Sequence, residues 1–275
     1  MFEIGNVKVG LDQGLFVLAG PCVIESLECC METAETLLEA GEETGIRVVF
    51  KGSFDKANRS SISSFRGPGL EKGLEILDKV RSETGLPVMT DVHETWQVEP
   101  VAEVVDCVQI PAFLCRQTDL LVACAKSGRP LSVKKGQFVS PEEMENVVGK
   151  IRSAGGEKIM LTERGTFFGY NRLVNDFGGF GTMKGFGCPV VFDATHSTQS
   201  PGGLGGQSGG RRELAPVLAR SAVAAGANGL FLETHPDPEN AKCDAACMIP
   251  TRWLKQLITE CREIFEIAAK SDYSY

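Results

Sequence analysis

The chain has 275 residues, of which 43% are apolar and 23% are charged, and its formal net charge is −8. This length and composition suit one large folded domain and exclude the disordered and fibrous classes. The acidic balance argues against nucleic acid or an anionic membrane as a partner, because both require a broad basic surface.

The sequence shows no signal for export or membrane insertion. No apolar run reaches the roughly 20 residues needed to cross a bilayer, and residues 1–10 lack the charged-then-apolar order of a secretory signal. We therefore expect a cytoplasmic protein. Its ten cysteines are scattered through strand-like and helix-like segments, so we expect reduced thiols, nearly all of them buried.

The order of elements predicts the fold class. Residues 2–10 predict a hairpin that turns at Gly5 and Asn6, so that residues 1–13 cap the bottom of the fold. Eight short apolar runs with many β-branched residues follow, at 15–20, 46–52, 87–92, 107–112, 130–135, 158–164, 188–196 and 229–235. The segments between them have apolar residues at helical spacing and often end in glycine.

Eight such βα units predict an α/β fold, a single-domain (β/α)8 TIM barrel over residues 1–275. The alternative is a doubly wound open sheet. It is disfavoured because no GxGxxG loop follows the first run.

Polar residues stand where almost every predicted strand ends. They are Cys22, Lys51, Asp91 with His93, Lys134 with Lys135, Glu163 with Arg164, Asp193 with His196, and Glu233 with His235. Chemistry in such a barrel lies at the C-terminal ends of the strands. Seven strands with polar ends are poorly explained as ordinary solvated loop residues, so we predict an active site at this end.

Two groups of cations predict two sites for anions. Lys134 and Arg164 end neighbouring strands and can converge on one dianion, for which the planar guanidinium is well suited. The stretch KGSFDKANRSS, residues 51–61, follows the second strand and offers cations to a second anion. Its relevant members are Lys51, Lys56, Arg59 and Ser60. The glycine-rich residues 201–213 suit either a mobile lid or a phosphate-binding turn.

A third group has metal-ligand character. The seventh, eighth and first strands are consecutive around a closed barrel, so Cys22, His196 and Glu233 can face one point, and Asp244 lies on the loop after the eighth strand. This mixed set suits Zn²⁺, Fe²⁺ or Mn²⁺ better than Mg²⁺ or Ca²⁺. A simple buried thiol remains the alternative for Cys22. Cys243 and Cys247 lack a zinc-ribbon spacing and are interpreted as incidental.

Several long motifs occur in order at the ends of the predicted strands. They are GPCVIES (20–26), FKGSFDKANRSS (50–61), TDVHE (90–94), QIPAFLCRQTDLL (109–121), VKKGQF (133–138), TERGTFFGY (162–170), FDATHSTQ (192–199), SGGRRE (208–213) and ETHPDPENAKCD (233–244). Together they closely resemble the 3-deoxy-D-manno-octulosonate 8-phosphate synthases, in their metal-dependent subgroup.

This resemblance implies an enzyme, a transferase. Members of that family are barrel-shaped homotetramers that condense phosphoenolpyruvate with D-arabinose 5-phosphate and water and release inorganic phosphate. The product is used for the inner core of lipopolysaccharide.

The resemblance also implies a set of substrate-binding residues. It assigns Lys134 and Arg164 to the phosphate of phosphoenolpyruvate, and Lys51 and Lys56 to the surroundings of its carboxylate and reacting carbons. The residues implied for arabinose 5-phosphate are Asn58, Arg59, Ser60 and, from a neighbouring subunit, Arg116.

For the metal, the resemblance implies a divalent ion, Zn, Fe, Mn or Co, and no organic cofactor. The implied ligands are Cys22, His196, Glu233 and Asp244, and Cys22 is diagnostic because the metal-independent subgroup has Asn there. For the reaction itself, we predict Lys56, Asp91, His93, His196 and Asp244 as catalytic residues. Among these, Asp91, His93 and Asp244 are the candidates for proton transfer.

Two rival functions remain. The sibling 3-deoxy-D-arabino-heptulosonate 7-phosphate synthases use erythrose 4-phosphate and typically have Lys-Pro-Arg-Thr where this chain has Lys-Ala-Asn-Arg-Ser at 56–60. The second rival function is that of a non-catalytic barrel that senses a phosphorylated metabolite. Such a protein has little reason to keep metal ligands together with both anion sites.

Overall fold

A closed barrel of eight parallel strands forms the centre of the protein in the computed structural model, which describes residues 1–202 and 209–270. The strands are β1 (Phe16–Gly20), β2 (Arg47–Lys51), β3 (Val88–Asp91), β4 (Cys107–Ile110), β5 (Leu131–Lys134), β6 (Ile159–Glu163), β7 (Val190–Asp193) and β8 (Gly229–His235). Each strand pairs with the next in the chain, and β8 also pairs with β1, which closes the ring. The predicted barrel is confirmed and the open sheet is excluded.

Helices follow the strands on the outside of the barrel. They are α1 (Leu27–Thr44), α2 (Leu70–Thr84), α3 (Val98–Val104), α4 (Thr118–Lys126), α5 (Met144–Ser153), α6 (Gly179–Gly185), α7 (Ala215–Ala224) and α8 (Leu254–Ala268). Helix α1 shows the local signals clearly, because Ser26 caps its start by accepting the Cys29 N–H at 3.1 Å. It ends at Gly45, whose φ of 69° is the left-handed conformation that favours glycine.

The predicted N-terminal hairpin is present. Strands Phe2–Ile4 and Val7–Val9 pair antiparallel, with Ile4 opposite Val7 across the turn at Gly5 and Asn6. The buried side chains of this hairpin pack against apolar residues that point into the barrel. That cluster comprises Ile4, Val7, Val9, Phe16, Leu18, Val49, Met89, Cys107, Met160, Val191 and Phe231.

The two-residue period of the strands places polar groups above this apolar layer. Residues two apart on a strand face the same side, so the residue two positions after each inward apolar side chain also points into the barrel. On β2 the pair is Val49 then Lys51, and on β7 it is Val191 then Asp193. The same step leads to Asp91, Gln109 and Glu233 on β3, β4 and β8. A polar layer therefore forms at the C-terminal end of the barrel, where the sequence predicts the site.

A larger apolar core lies between the barrel and its helices, and it includes Phe50 of β2 and Leu77 of α2. All ten cysteines lie in the described residues and are free thiols, nine of them buried, as expected. Among the helices of residues 1–202 and 209–270, none combines the length and the apolar character needed to span a membrane.

Candidate active site

A cavity of about 840 Å³ opens at the C-terminal end of the barrel. Most of the residues that the sequence analysis predicts for the site line it. These are Lys51, Lys56, Asn58, Arg59, Ser60, Asp91, His93, Lys134, Arg164, His196 and Asp244. Predicted cations, carboxylates and imidazoles from strands and loops far apart in sequence thus share one space.

The four predicted metal ligands come together around Asp244. The Nε2 atom of His196 lies 3.5 Å from Glu233 Oε2 and 3.6 Å from Asp244 Oδ2. The Cys22 thiol donates to Asp244 Oδ2 at 3.2 Å. His196, Glu233 and Asp244 thus form one group of donor atoms within 4.8 Å of one another, and Cys22 joins this group through Asp244.

Glu233 provides an independent observation that these residues fit a cation. Its side chain is 1% exposed, and neither carboxylate oxygen has a hydrogen-bond partner among the described residues. Burial opposes its ionisation, but the nearby His196, Lys56 and Lys51 outweigh this and lower its pKa. A buried carboxylate that stays charged without hydrogen bonds is available to a metal ion.

Asp193 orients the imidazole of His196. Its Oδ2 lies 2.7 Å from His196 Nδ1, and its Oδ1 accepts the His196 backbone N–H at 2.9 Å. Because a carboxylate accepts at Nδ1, the neutral ring carries its proton there and turns the Nε2 lone pair toward Glu233 and Asp244. Burial opposes the charge of Asp193, but His196, Lys134 and Arg164 lower its pKa.

The end of β1 is shaped to bring Cys22 close to β2. A Cβ on Gly20 would lie only 2.1 Å from the Lys51 carbonyl oxygen, so no larger residue fits there. The Lys51 ammonium in turn donates to the Cys22 carbonyl at 3.3 Å. Glycine at position 20 therefore allows the close strand contact that places the Cys22 thiol beside the cavity.

Lys51 and Lys56 carry the positive charge next to this cluster. Their Nζ atoms lie 3.6 Å and 3.7 Å from Glu233 Oε1. Burial opposes the charge of Lys56, yet Cys22, Glu233 and other acidic neighbours raise its pKa well above normal. A permanent cation therefore faces the cavity here.

Asp91 and His93 form a second pair beside Lys51. The Asp91 Oδ2 lies 3.0 Å from His93 Nε2, and Lys51 Nζ lies 3.7 Å from Asp91 Oδ1. Ser53 donates to Asp91 and accepts from Lys51 at 2.7 Å, so it links the two charges. Burial opposes the charge of Asp91, but Lys51 and His93 hold its pKa well below its usual range. Asp91 is thus held as an ionised carboxylate that accepts hydrogen bonds.

Lys134 and Arg164 both lie near Asp193. Lys134 pairs with the Asp193 carboxylate, and its Nζ lies 3.4 Å from the centre of the Phe231 ring. Burial lowers the pKa of Lys134 to about 8, and Asp193 limits the fall. Arg164 donates to the His196 carbonyl at 3.2 Å and to Gln199 Oε1 at 2.7 Å. Both cations reach the same wall of the cavity.

The loop after β2 reaches across to the loop after β8. Arg59 donates from Nη1 to Cys243 Sγ at 2.7 Å and from Nη2 to the Lys242 carbonyl at 3.4 Å. Asn58 and Ser60 beside it are exposed and line the cavity. The stretch that the sequence singled out therefore covers one side of the opening.

Arg116 stands apart from the other predicted residues. It is exposed on the loop after β4 and does not line this chain's own cavity. Within the glycine-rich stretch 201–213, residues 203–208 lie outside the described residues. The predicted lid or phosphate-binding turn falls largely on them.

Several residues at the site have no individual role predicted from the sequence. These are Ser53, Gln199, Cys243 and Asp193, of which only Asp193 is predicted as a strand-end polar residue. The contact between Asp193 and His196 could have been predicted, because Asp193 precedes His196 by three residues at a strand end. Cys243 is interpreted as incidental from spacing, yet its sulfur lies within 4.8 Å of the Cys22 sulfur and an Asp244 oxygen.

Comparison with known proteins gives close relatives over nearly the full chain. The chain is 59% identical over 252 residues to a protein of Nitratidesulfovibrio vulgaris (strain DP4), which covers 92% of each chain. It is 55% identical over 269 residues to one of Desulfatibacillum aliphaticivorans and 53% over 271 residues to one of Hydrogenovibrio crunogenus, with 98% of each chain covered in both cases.

Each of these relatives is named 2-dehydro-3-deoxyphosphooctonate aldolase, which denotes the enzyme class that the motifs resemble. The resemblance predicted from the sequence is thereby confirmed. A family model described as the DAHP synthetase I family matches residues 1–269. The chain therefore belongs to the DAHP synthetase I family.

Proposed function

We propose that this protein condenses phosphoenolpyruvate with D-arabinose 5-phosphate and water, forming 3-deoxy-D-manno-octulosonate 8-phosphate and inorganic phosphate for the inner core of lipopolysaccharide. The observation that carries the proposal is the cavity itself. It is lined by two sets of cations, on the strand ends and on residues 56–60, next to two groups of metal-type donors that share Asp244. The names of the relatives support the same activity. On the sequence argument, we place the enzyme in the cytoplasm.

Phosphoenolpyruvate occupies the inner part of the cavity in this proposal. Lys134 and Arg164 hold its phosphate, in place of the Asp193 and Gln199 contacts that they make in the free protein. Lys51 and Lys56 hold its carboxylate and the reacting carbons. Charge-assisted contacts of this kind are the strong ones, and their work is to position the substrate.

Arabinose 5-phosphate occupies the outer part, where Asn58, Arg59 and Ser60 hold its phosphate. Arg116 of a second copy of the chain completes this site in a homotetramer. Two observations support that role: Arg116 is exposed outside its own cavity, and large apolar side chains are exposed on neighbouring loops at the same end of the barrel. These are Phe113, Phe138, Phe167 and Phe168. Exposed apolar patches of this kind mark association surfaces.

A divalent ion, Zn, Fe, Mn or Co, fits the cluster of Cys22, His196, Glu233 and Asp244, and no organic cofactor is required. When bound, such an ion would act as a Lewis acid on the aldehyde or would anchor the hydroxyls of the sugar. Asp193 keeps the Nε2 atom of His196 directed at the cluster. The soft thiol among harder donors disfavours Mg²⁺ and Ca²⁺.

The protein's own residues bring two mutually repelling phosphate esters together. C3 of phosphoenolpyruvate attacks the aldehyde, and water captures the positive charge that develops at C2. The hemiketal phosphate then loses phosphate by C–O cleavage. The cations neutralise both dianions. The water that adds to C2 gives up a proton and the former aldehyde oxygen takes one up, and we assign this transfer to Asp91, His93 and Asp244.

A direct test compares acceptors. The purified protein is incubated with phosphoenolpyruvate alone, with arabinose 5-phosphate and with erythrose 4-phosphate, and inorganic phosphate is measured. The proposal requires release with arabinose 5-phosphate only. Preference for erythrose 4-phosphate would indicate the sibling activity, and release with neither sugar would favour a sensor.

A further inference from the structure

Cys243 places a second thiol beside the proposed metal ligands. The sulfurs of Cys22 and Cys243 and one carboxylate oxygen of Asp244 all lie within 4.8 Å of one another. Both thiols are buried, with exposures of 0% and 4%. Asp244 also belongs to the group formed with His196 and Glu233. Two groups of donors therefore meet at one carboxylate.

The spacing of the two sulfurs suits a shared ion. Two thiolates bound at ~2.3 Å to a tetrahedral ion stand ~3.8 Å apart. A separation of at most 4.8 Å thus requires only a small rotation of either side chain. Asp244 already accepts from the Cys22 thiol at 3.2 Å, so it lies within reach of an ion held by both sulfurs.

Two cations stand beside the two donor groups. Arg59 donates to Cys243 Sγ at 2.7 Å, which links the sulfur to the loop after β2. Lys56 lies next to the same cluster, with its Nζ 3.7 Å from Glu233. Both cations therefore lie close to the sulfur and carboxylate donors.

Cys247 shows what an ordinary packing cysteine looks like in the same loop. It is buried, its thiol is directed at the Gly209 carbonyl at 3.7 Å, and it belongs to neither donor group. Because its sulfur belongs to neither donor group, Cys247 is a matched control for substitutions at Cys243.

We propose that Cys243 is a further ligand of the metal centre, through which the site holds a thiophilic ion such as Zn²⁺ or Cd²⁺ with two thiolates and Asp244. A harder ion such as Mn²⁺ is held by the carboxylates and imidazole and gains little from Cys243. This inference rests on the proposed function, because it requires that Cys22, His196, Glu233 and Asp244 bind a metal.

The test measures, by absorbance spectroscopy, how many cysteine thiolates bind the metal ion. Full-length protein is stripped of metal, titrated with Cd²⁺ and with Mn²⁺, and followed by the thiolate-to-metal charge-transfer absorbance and by competition with a chelator. Wild type is compared with Cys22→Ser, Cys243→Ser, Cys243→Ala and Cys247→Ser. Circular dichroism of each variant confirms that it is folded.

Each Cys243 variant is expected to keep about half of the wild-type Cd²⁺ absorbance, as is Cys22→Ser, because each removes one of two thiolates. Cys247→Ser is expected to keep all of it. Cd²⁺ affinity of the Cys243 variants is expected to fall by at least the ~10–100-fold that loss of an outer partner costs. Their Mn²⁺ affinity is expected to change little.

Two results would overturn the inference, and they differ in what else they affect. Full Cd²⁺ absorbance in folded Cys243→Ser and Cys243→Ala, with a loss only in Cys22→Ser, would remove Cys243 from the ligands and leave the proposed metal centre intact. Absence of any charge-transfer band in the wild-type protein would contradict the metal centre as well.

Discussion

Asp193 Oδ2 lies 2.7 Å from His196 Nδ1, so a strand-end carboxylate fixes the orientation of the imidazole that faces Glu233 and Asp244. Both Asp193 oxygens already have partners. Oδ2 contacts His196 and Lys134, and Oδ1 accepts from the His196 backbone and from Thr195. Asp193 therefore acts on the cluster through His196, as a positioning residue.

Replacing Asp193 by Ala is expected to lower the affinity for a divalent ion by about 10–100-fold, because the ring loses the partner that sets its tautomer. Competition titration against a chelator measures this. Asp237→Ala is the control, since Asp237 is an exposed aspartate on the loop after β8. Equal affinities in the two variants would contradict the positioning role.

Cys22→Asn is expected to make the synthase activity insensitive to chelators while some activity remains. The reason is that the substrates are held by cations elsewhere in the cavity, and Asn replaces the cysteine in the metal-independent subgroup that the motifs resemble. Phosphate release with and without chelator measures it. A folded variant with no activity under any condition would show that the metal does more than assist.

Arg59→Ala is expected to raise the Michaelis constant for arabinose 5-phosphate far more than that for phosphoenolpyruvate. Loss of a charge-assisted contact to phosphate costs on the order of 2–4 kcal/mol. Steady-state kinetics with each substrate varied in turn provides the measurement. The same increase for both substrates would refute the division of the cavity into two phosphate sites.

Arg116 offers a test of the assembly by subunit mixing. Arg116→Ala and Lys134→Ala are each expected to be nearly inactive alone, since each removes a cation from every site. In mixed oligomers, a site with its own Lys134 and with Arg116 from the other copy is complete. Activity is therefore expected to return when the two variants are dissociated and reassembled together. No recovery in demonstrably mixed oligomers would place Arg116 outside the site.

Lys134 determines the expected pH dependence of phosphoenolpyruvate binding. Burial lowers the pKa of its ammonium group to about 8. The ammonium is the form that binds phosphate, so kcat/KM for phosphoenolpyruvate is expected to fall as the pH rises through about 8. Lys134→Arg keeps the charge and is expected to abolish this fall. An unchanged pH profile in the arginine variant would assign the titration to another group.

The barrel can be predicted from the sequence because each strand is a short apolar run, and most helices show apolar residues at helical spacing with a glycine at or just after their end. The strand-end positions of Lys51, Lys134 and Glu233 follow from the period of two along each strand. What cannot be read from the chain is contact between distant loops. Cys243 meets Cys22 and Arg59 only because residues 56–60 and the loop after β8 fold over the same opening.

Ser53 illustrates a different limit. It is fully buried between Lys51 and Asp91. Its hydroxyl donates to Asp91 and accepts from Lys51. In sequence it is one more serine in a polar stretch. Its role depends on the side chain of a neighbouring strand, which local patterns do not reveal.

The central claim is that one divalent ion per chain at Cys22, His196, Glu233 and Asp244 supports the condensation of the two phosphorylated substrates. The most direct measurement is elemental analysis of the protein during stepwise metal removal and return, with phosphate release from phosphoenolpyruvate and arabinose 5-phosphate assayed at each step. We predict that activity falls and recovers in proportion to bound ion and saturates at one ion per chain. Full activity in protein shown to be free of metal would contradict the account.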